Sequence, residues 1–272
     1  MPELPEVETT RRGISDLVIG KTITRVLIHD TRLRWPVPAA QLEQQLTGSH
    51  FRTVGRRAKY LLLDTGHGHV IVHLGMSGSL RIVPSDIPLH KHDHVEICFD
   101  DGLCLRLRDP RRFGAVLWTR DDPGQHPLIA SLGPEPLEEH FTPAYLYPLT
   151  RKRRTAIKNL IMDAKVVVGV GNIYACESLF RAGIRPGRAA GRLTGKECTR
   201  LVVAIRQVLS DAIAAGGTTL RDFSDTQGQP GYFRQSLMVY GRENQPCVQC
   251  GTPIRRRTLG QRSTFYCPNC QR

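Results

Sequence analysis

The 272-residue chain has no run of about 18 apolar residues, which excludes a helix that crosses a bilayer. Its start, Met1 to Gly13, is acidic and lacks the basic-then-apolar profile of a secretory signal, so a cytoplasmic protein with no membrane partner is expected. Acid is scarce overall: 25 Asp and Glu stand against 38 Lys and Arg, a formal net charge of +13. An imbalance of this size points to a polyanion, nucleic acid before a membrane, because each neutralised phosphate releases counterions. No internal repeat or low-complexity tract is present, which sets repeat architectures aside. Outside the C-terminus cysteine is sparse as well. Cys98, Cys104, Cys176 and Cys198 lie scattered in apolar or helical contexts and are expected to be reduced core thiols.

The remaining four cysteines form Cys247-x2-Cys250 and, sixteen residues later, Cys267-x2-Cys270. Two such knuckles bring four thiolates into a tetrahedron, the usual closed structural zinc site. One Zn2+ is therefore expected, with no coordination position left for substrate. Between the knuckles, Arg255, Arg256, Arg257, Gln261 and Arg262 belong to a hairpin whose alternate residues can face a phosphate backbone. Folding of so small a module is coupled to its metal.

Short β-rich runs fill Lys21 to Thr119: Thr22–Ile28, Tyr60–Asp64, Val70–Leu74, Leu80–Val83, Val95–Phe99, Leu103–Leu107 and Ala115–Trp118. Glycine breaks and the Asp101–Gly102 pair separate them, the pattern of antiparallel hairpins in a sandwich or barrel. After the Pro- and Gly-rich stretch Asp122–Pro136, helical spacing takes over at Pro143–Leu149, Thr155–Ala164, Tyr174–Ala182 and Thr194–Ala215, with Gly216–Gly217 as a stop. Asp225–Tyr232 reads equally well as a lid or as a linker. Val168–Ile173, with Gly169 and Gly171, is a glycine-flanked turn into a helix N-terminus, where backbone N–H groups can hold a phosphate. The basic run Arg151–Arg154 and Lys158 stand beside it in sequence.

The amino terminus, MPELPEVETTRRG, is unusual. Once Met1 is removed, Pro2 carries a secondary amine, and with an aldehyde-like carbon an amine of this kind gives an iminium. Its reference pKa of roughly 7.7 to 8.0 leaves an appreciable fraction unprotonated near neutrality. Leu4, Val7 and Ile14 share one helical face, with Pro5 in the first turn. Glu3 and Glu6, three apart, are neighbours on such a helix and can divide acid and charge-holding roles. Proline and acids at this point are equally the chemistry of a helix start.

Three further stretches attract attention. The basic run Arg56–Lys59 opens a β run, where it would commonly be a solvated edge that discourages strand pairing. Met76, among Gly75, Ser77 and Gly78, is an apolar residue at a loop tip, and Asp109–Gly114 sets Arg111 beside Phe113 in a turn. Apolar side chains in such places can wedge between DNA base steps, at roughly a few kcal/mol per unstacked step, or can simply pack into a core. His90, His92 and His94 alternate as a loop enters a strand, with no acid cluster that would make them a metal site.

Pro2–Thr9, Arg56–Leu63, His73–Leu80, Asp109–Gly114, Gly169–Ala175 and Gln261–Cys267 together, in order and over essentially the whole chain, resemble the bacterial formamidopyrimidine-DNA glycosylase family. The resemblance implies an α+β multidomain fold. An N-terminal helix and antiparallel β-sandwich would occupy 1–130, a helix-two-turn-helix domain 131–236, and a zinc-finger β-hairpin 237–272. It implies a monomer acting on double-stranded DNA that carries an oxidised purine, such as 8-oxoguanine or a formamidopyrimidine, or an abasic site. Pro2 would attack the sugar C1′, with Glu3 as proton donor and Glu6 in support. Lys59 would be the proton donor for β-elimination and Arg262 for δ-elimination. His92, Arg111 and Arg153 match DNA-binding positions, Lys158 and Asn172 match phosphate contacts, and Met76, Arg111 and Phe113 match the residues that fill the place of a flipped base. Thr218–Tyr232 matches the loop that closes over that base.

The chain departs from the family in small ways: Arg151, Arg153 and Arg154 stand where lysines are common, and Cys176 where serine is. The rival reading from the residues alone is a non-enzymatic, zinc-stabilised DNA-binding protein. The amino terminus separates the two, since a binder has no use for a free Pro2 beside two carboxylates.

Overall fold

The computed structural model describes residues 2–217 and 237–272; Met1 and the loop expected over Thr218–Tyr232 lie outside them. The chain forms two compact units, residues 2–130 with 215–217, and Ser131–Ala214 with 237–272. No helix among the described residues is long and apolar enough to cross a membrane.

The first unit begins with α1 (Leu4–Val18), which buries Leu4, Val7, Ile14 and Val18 along one face. Two antiparallel four-stranded sheets follow. One has the order β1 (Ile23–Ile28), β6 (Asp93–Phe99), β7 (Leu103–Arg108), β5 (Ser79–Pro84). The other runs β2 (Thr53–Arg57), β3 (Tyr60–Asp64), β4 (His69–His73), β8 (Ala115–Thr119). Alternation within the strands drives the layering: Leu61 and Leu63 of β3, Val70 and Val72 of β4, Ile97 and Phe99 of β6, and Leu105 and Leu107 of β7 enter a single core with Val7, Ile14 and Val18. The short helix α2 (Ala39–Leu46) adds Leu42 and Leu46.

Arg56 and Arg57 of the basic run are the last residues of β2, an edge strand of its sheet as that run suggested, and pair with Leu61 and Tyr60 across a tight turn at Ala58–Lys59. One expectation is corrected. Cys98 and Cys104 are not reduced thiols. The β6–β7 register sets them directly opposite, with Cα atoms 4.0 Å apart, and they are joined as a disulfide. Sequence separation gave no hint of that register. Cys176 and Cys198 are buried and take part in no disulfide, as expected.

The second unit contains α3 (Pro143–Thr150), α4 (Ile157–Ile161), α5 (Asn172–Arg181) and α6 (Gly195–Ala214). Beyond α6, Gly216 and Gly217 take φ of +75° and +81°, a left-handed exit that glycine adopts without steric cost. The C-terminal hairpin pairs β9 (Arg255–Leu259) with β10 (Arg262–Tyr266). Phe265, Ile254 and Val239 form a small core with Cys176 and Phe180 of α5, so the hairpin is seated on that helix.

Candidate active site and nucleic-acid interface

Pro2 is buried immediately before α1, and Glu3 and Glu6 are buried beside it at 2% and 3% exposure. Glu3 is the N-cap, and the two glutamates form a reciprocal capping box in which the Glu6 carboxylate accepts the Glu3 main-chain N–H at 2.8 Å. The helix-start reading of these residues is therefore correct as local structure. It also fixes two carboxylates in the turn that follows Pro2. Gly217 closes in on this turn: a Cβ there would lie 3.3 Å from Glu6 Oε1.

Lys59 occupies the β2–β3 turn behind Ala58, whose φ of +55° is uncommon for a residue with a side chain. Arg56 holds this turn, donating from a terminal guanidinium nitrogen to the Ala58 carbonyl at 2.9 Å and from Nε to Glu8 at 3.1 Å. Next to it, the Tyr60 and His73 rings lie 4.8 Å apart. His73 Nδ1 accepts the Gly75 N–H at 2.9 Å. Burial, with added repulsion from Lys59 and Arg34, pushes the His73 pKa down to about 4, so the ring is neutral at working pH.

The two candidate wedge loops meet. Met76, half-buried, lies between β4 and β5, and Phe113, 41% exposed, lies just before β8. Ser77 Oγ donates to Asp109 Oδ1 at 3.0 Å and accepts the Arg111 N–H at 3.2 Å, while Gly114 N–H donates to Asp109 Oδ2 at 2.7 Å. Gly75, at φ +62°, touches the main chain of Phe113 and Gly114 so closely that a Cβ would overlap both. The exposed Arg111 guanidinium lies 5.1 Å from the Phe113 ring centre, a cation–π contact. His92 is half-buried on the β5–β6 connection at φ +78°, and its carbonyl accepts the Asp109 N–H at 3.0 Å. Desolvation and the nearby Lys91, His94, Arg108 and Arg112 lower its pKa. Asp109, fully buried, thus ties three loops together. Sequence reasoning gave it no role, although an Asp before Pro is a turn signal.

In the second unit Arg153 is exposed after α3. Lys158 is fully buried; its Nζ donates to Asn172 Oδ1 at 2.5 Å, Thr264 Oγ1 at 2.7 Å and the Ser263 carbonyl at 3.4 Å. Asn172, the first residue of α5 after Gly171, donates to the Ser263 carbonyl at 2.9 Å. These bonds lock the zinc hairpin to α4 and α5. Arg262 is exposed at the start of β10, beside the Gly260–Gln261 turn.

Cys247, Cys250, Cys267 and Cys270 place their four sulfurs within 4.8 Å of one another. Four thiolates bound to one zinc at about 2.3 Å would be separated by about 3.8 Å. The Cys247–Cys270 and Cys250–Cys267 sulfur distances, 3.9 and 3.5 Å, fit that tetrahedron.

Family models match three stretches: the formamidopyrimidine-DNA glycosylase N-terminal domain at residues 1–116, the H2TH domain of that enzyme at 132–224, and a zinc finger found in FPG and IleRS at 244–272. A formamidopyrimidine-DNA glycosylase from Thioalkalivibrio sulfidiphilus is 61% identical over all of both chains. The chain belongs to the formamidopyrimidine-DNA glycosylase family. The enzyme of the same name from Syntrophotalea carbinolica is 60% identical, again over all of both chains. Among solved structures, the Thermus thermophilus family member is 39% identical with a TM-score of 0.88, covering 99% of this chain and 98% of that one. The Lactococcus lactis glycosylase bound to DNA containing an abasic site is 32% identical with a TM-score of 0.92, covering 99% of each chain. A complex of a variant of that enzyme with Fapy-dG-containing DNA reaches 0.93 at 32% identity over all of both chains. As a member of the family the chain is an enzyme, a DNA glycosylase with one structural zinc.

Proposed function

We propose that this chain removes oxidised purines, 8-oxoguanine and formamidopyrimidines, from duplex DNA and then nicks the strand at the resulting abasic site, in the bacterial cytoplasm and as a monomer. The observation that carries this reading is the buried turn in which Pro2 precedes the Glu3–Glu6 capping box. With Met1 removed, the Pro2 nitrogen attacks C1′ and the C1′–N bond to the base breaks. Glu3 handles the proton that this exchange requires, while Glu6 keeps Glu3 in place.

The amine's electron pair then forms the C1′=N iminium as the C1′–O4′ bond breaks and O4′ takes up a proton, which makes the C2′ proton acidic. Transfer of that proton to solvent forms the C2′=C3′ bond and breaks the C3′–O bond, with Lys59 supplying a proton to the departing 3′-oxygen in this β-elimination. Arg262 serves the second elimination, which expels the 5′-oxygen. Water hydrolyses the remaining imine and frees Pro2.

His92, Arg111 and Arg153 are offered to phosphates, and Met76 and Phe113 to the gap left by a flipped base, whose extrusion any enzyme acting on a base in a duplex requires. Zinc, held by the four cysteines, stabilises the hairpin that bears Arg262 and takes no part in bond breaking. Lys158 and Asn172 support the interface by fixing that hairpin, and their amide and ammonium groups remain close to the α5 N-terminus where a phosphate would bind.

Borohydride reduction during turnover on an 8-oxoguanine duplex tests the mechanism. A covalent adduct mapping to Pro2, lost in Pro2→Gly and when Met1 is retained, is expected. An adduct on an internal lysine would sink the assignment. In the same assay Arg262→Ala is expected to release base at the parent rate and accumulate the β-elimination product; unchanged release of the 3′-phosphate would remove Arg262 from its role.

A further inference from the structure

Glu8 is nearly buried on α1, and three arginines converge on its carboxylate. Arg11 donates from a terminal guanidinium nitrogen to Oε1 at 2.9 Å, Arg12 Nε donates to Oε1 at 2.9 Å, and Arg56 Nε donates to Oε2 at 3.1 Å. Arg11 and Arg12 belong to the same helix. Arg56 comes from β2 and gives the cluster its reach, because the same guanidinium also donates to the Ala58 carbonyl at 2.9 Å. The carbonyl it holds belongs to the peptide that joins Ala58 to Lys59. Arg11 adds a second tie between α1 and β2, donating to the Val54 carbonyl at 3.3 Å.

We infer that Glu8 and Arg56 are positioning residues for Lys59: the carboxylate on α1 aims the guanidinium, and the guanidinium fixes the turn that presents Lys59 to the helix that presents Pro2. The inference rests on the role proposed above for Lys59 and adds to it a means of setting the distance between nucleophile and proton donor.

Several features support it. Ala58 sits in the left-handed region, so the turn requires an outside restraint to stay in this conformation. The planar fork of an arginine bonds two acceptors in fixed geometry, which a lysine's single ammonium cannot do at these separations. Burial raises the Glu8 pKa, but the hydrogen bonds from Arg11, Arg12 and Arg56 outweigh it and hold the carboxyl at about 2, so the anchor stays charged wherever the enzyme works. Displacement of a reacting group by about 1 Å can cost ~100-fold in rate. A loosened turn would therefore show itself in the step that uses Lys59 before it shows in overall folding.

The test compares Arg56→Lys, Glu8→Gln and Glu8→Asp with the parent in three single-turnover measurements: base release from an 8-oxoguanine duplex, borohydride trapping, and nicking of a preformed abasic duplex. Arg56→Lys and Glu8→Gln are expected to nick roughly 10- to 100-fold more slowly while base release and trapping stay within about twofold. Glu8→Asp, which keeps the charge, should recover part of the nicking rate. Added to Lys59→Ala, Arg56→Lys should cost nothing further, since groups acting through one another are non-additive. An equal loss in all three measurements, or a full additional loss in the Lys59→Ala background, would overturn positioning and leave Arg56 a general stabiliser. Normal nicking by Lys59→Ala would overturn both the role of Lys59 and this inference. Slow nicking by Lys59→Ala with normal nicking by Arg56→Lys would overturn this inference alone. Should Glu8→Gln fail to fold, Arg56→Lys, which keeps its charge beside Glu8, carries the comparison.

Discussion

The Glu6 carboxylate accepts the main-chain N–H of Glu3 at 2.8 Å, so one acid of the pair is committed to holding the other. Glu6→Ala removes half of the capping box, for which about 1 kcal/mol of stability is expected to be lost. Base release should slow more than that loss alone would explain, because Glu3 gains freedom next to Pro2. A thermal melt and single-turnover base release on the same preparation check this. Loss of stability with an unchanged rate would reduce Glu6 to a cap.

His73 predicts an acid sensitivity. Its folded pKa, pushed down to about 4 by burial and by Lys59 and Arg34, lies below the ordinary histidine value of about 6.5. The unfolded chain therefore binds more protons between these values. The neutral ring's contribution is complete above about pH 6.5 and falls away as pH drops towards 4, by at most about 3 kcal/mol. Stability measured by denaturant across pH 4 to 7 should fall less steeply in His73→Gln than in the parent. Parallel curves would show that the ring takes up its proton as readily in the folded state as in the unfolded chain.

Phe113 is 41% exposed, with the Arg111 guanidinium stacked against its ring. Phe113→Ala is expected to leave the melting temperature almost unchanged, since exposed positions of this kind usually fall within about 0.5 kcal/mol. Affinity for a damaged duplex should drop by roughly tenfold or more, because the ring no longer offsets an unstacking cost of roughly a few kcal/mol. Fluorescence anisotropy with matched damaged and undamaged duplexes gives the comparison. A large fall in melting temperature would mean that the ring is core rather than wedge.

Cys267 contributes a sulfur to the metal cluster and packs with Phe265, Ile254 and Phe180. Cys267→Ser, or exposure to a strong zinc chelator, should unfold the hairpin and abolish damaged-DNA binding while the β-sandwich retains its circular dichroism. Intact affinity after verified loss of zinc would show that the hairpin is not a DNA grip.

Much of this architecture can be read from residue patterns. Alternating apolar residues locate β3 to β8 within a residue or two, and the two Cys-x2-Cys knuckles locate the metal cluster without reference to any family. Thr53–Arg57 escapes that reading, because a strand whose last two residues are arginines lacks the apolar alternation that marks its neighbours. Ala39–Leu46 escapes it too, with only Leu42 and Leu46 turned inward. Cys98 and Cys104 are legible only once strand register is known. Lys158 carries a different lesson: a charge in a basic stretch reads as a surface contact, yet here the ammonium is enclosed by three acceptors. Nothing local distinguishes the two cases, since its partners Asn172, Ser263 and Thr264 lie 14 to 106 residues away.

The overlap that any side chain on Gly75 would make with the backbone of Phe113 and Gly114 has a thermodynamic corollary. The loops bearing Met76 and Phe113 lose their conformational freedom when the protein folds, before DNA is met. Fixing a backbone costs on the order of 1–2 kcal/mol per residue in entropy. On the wedge role proposed for them, Met76 and Phe113 would probe each base step without repaying that cost, and the time spent at an undamaged pair would be governed by how readily the DNA unstacks rather than by how readily the protein orders itself.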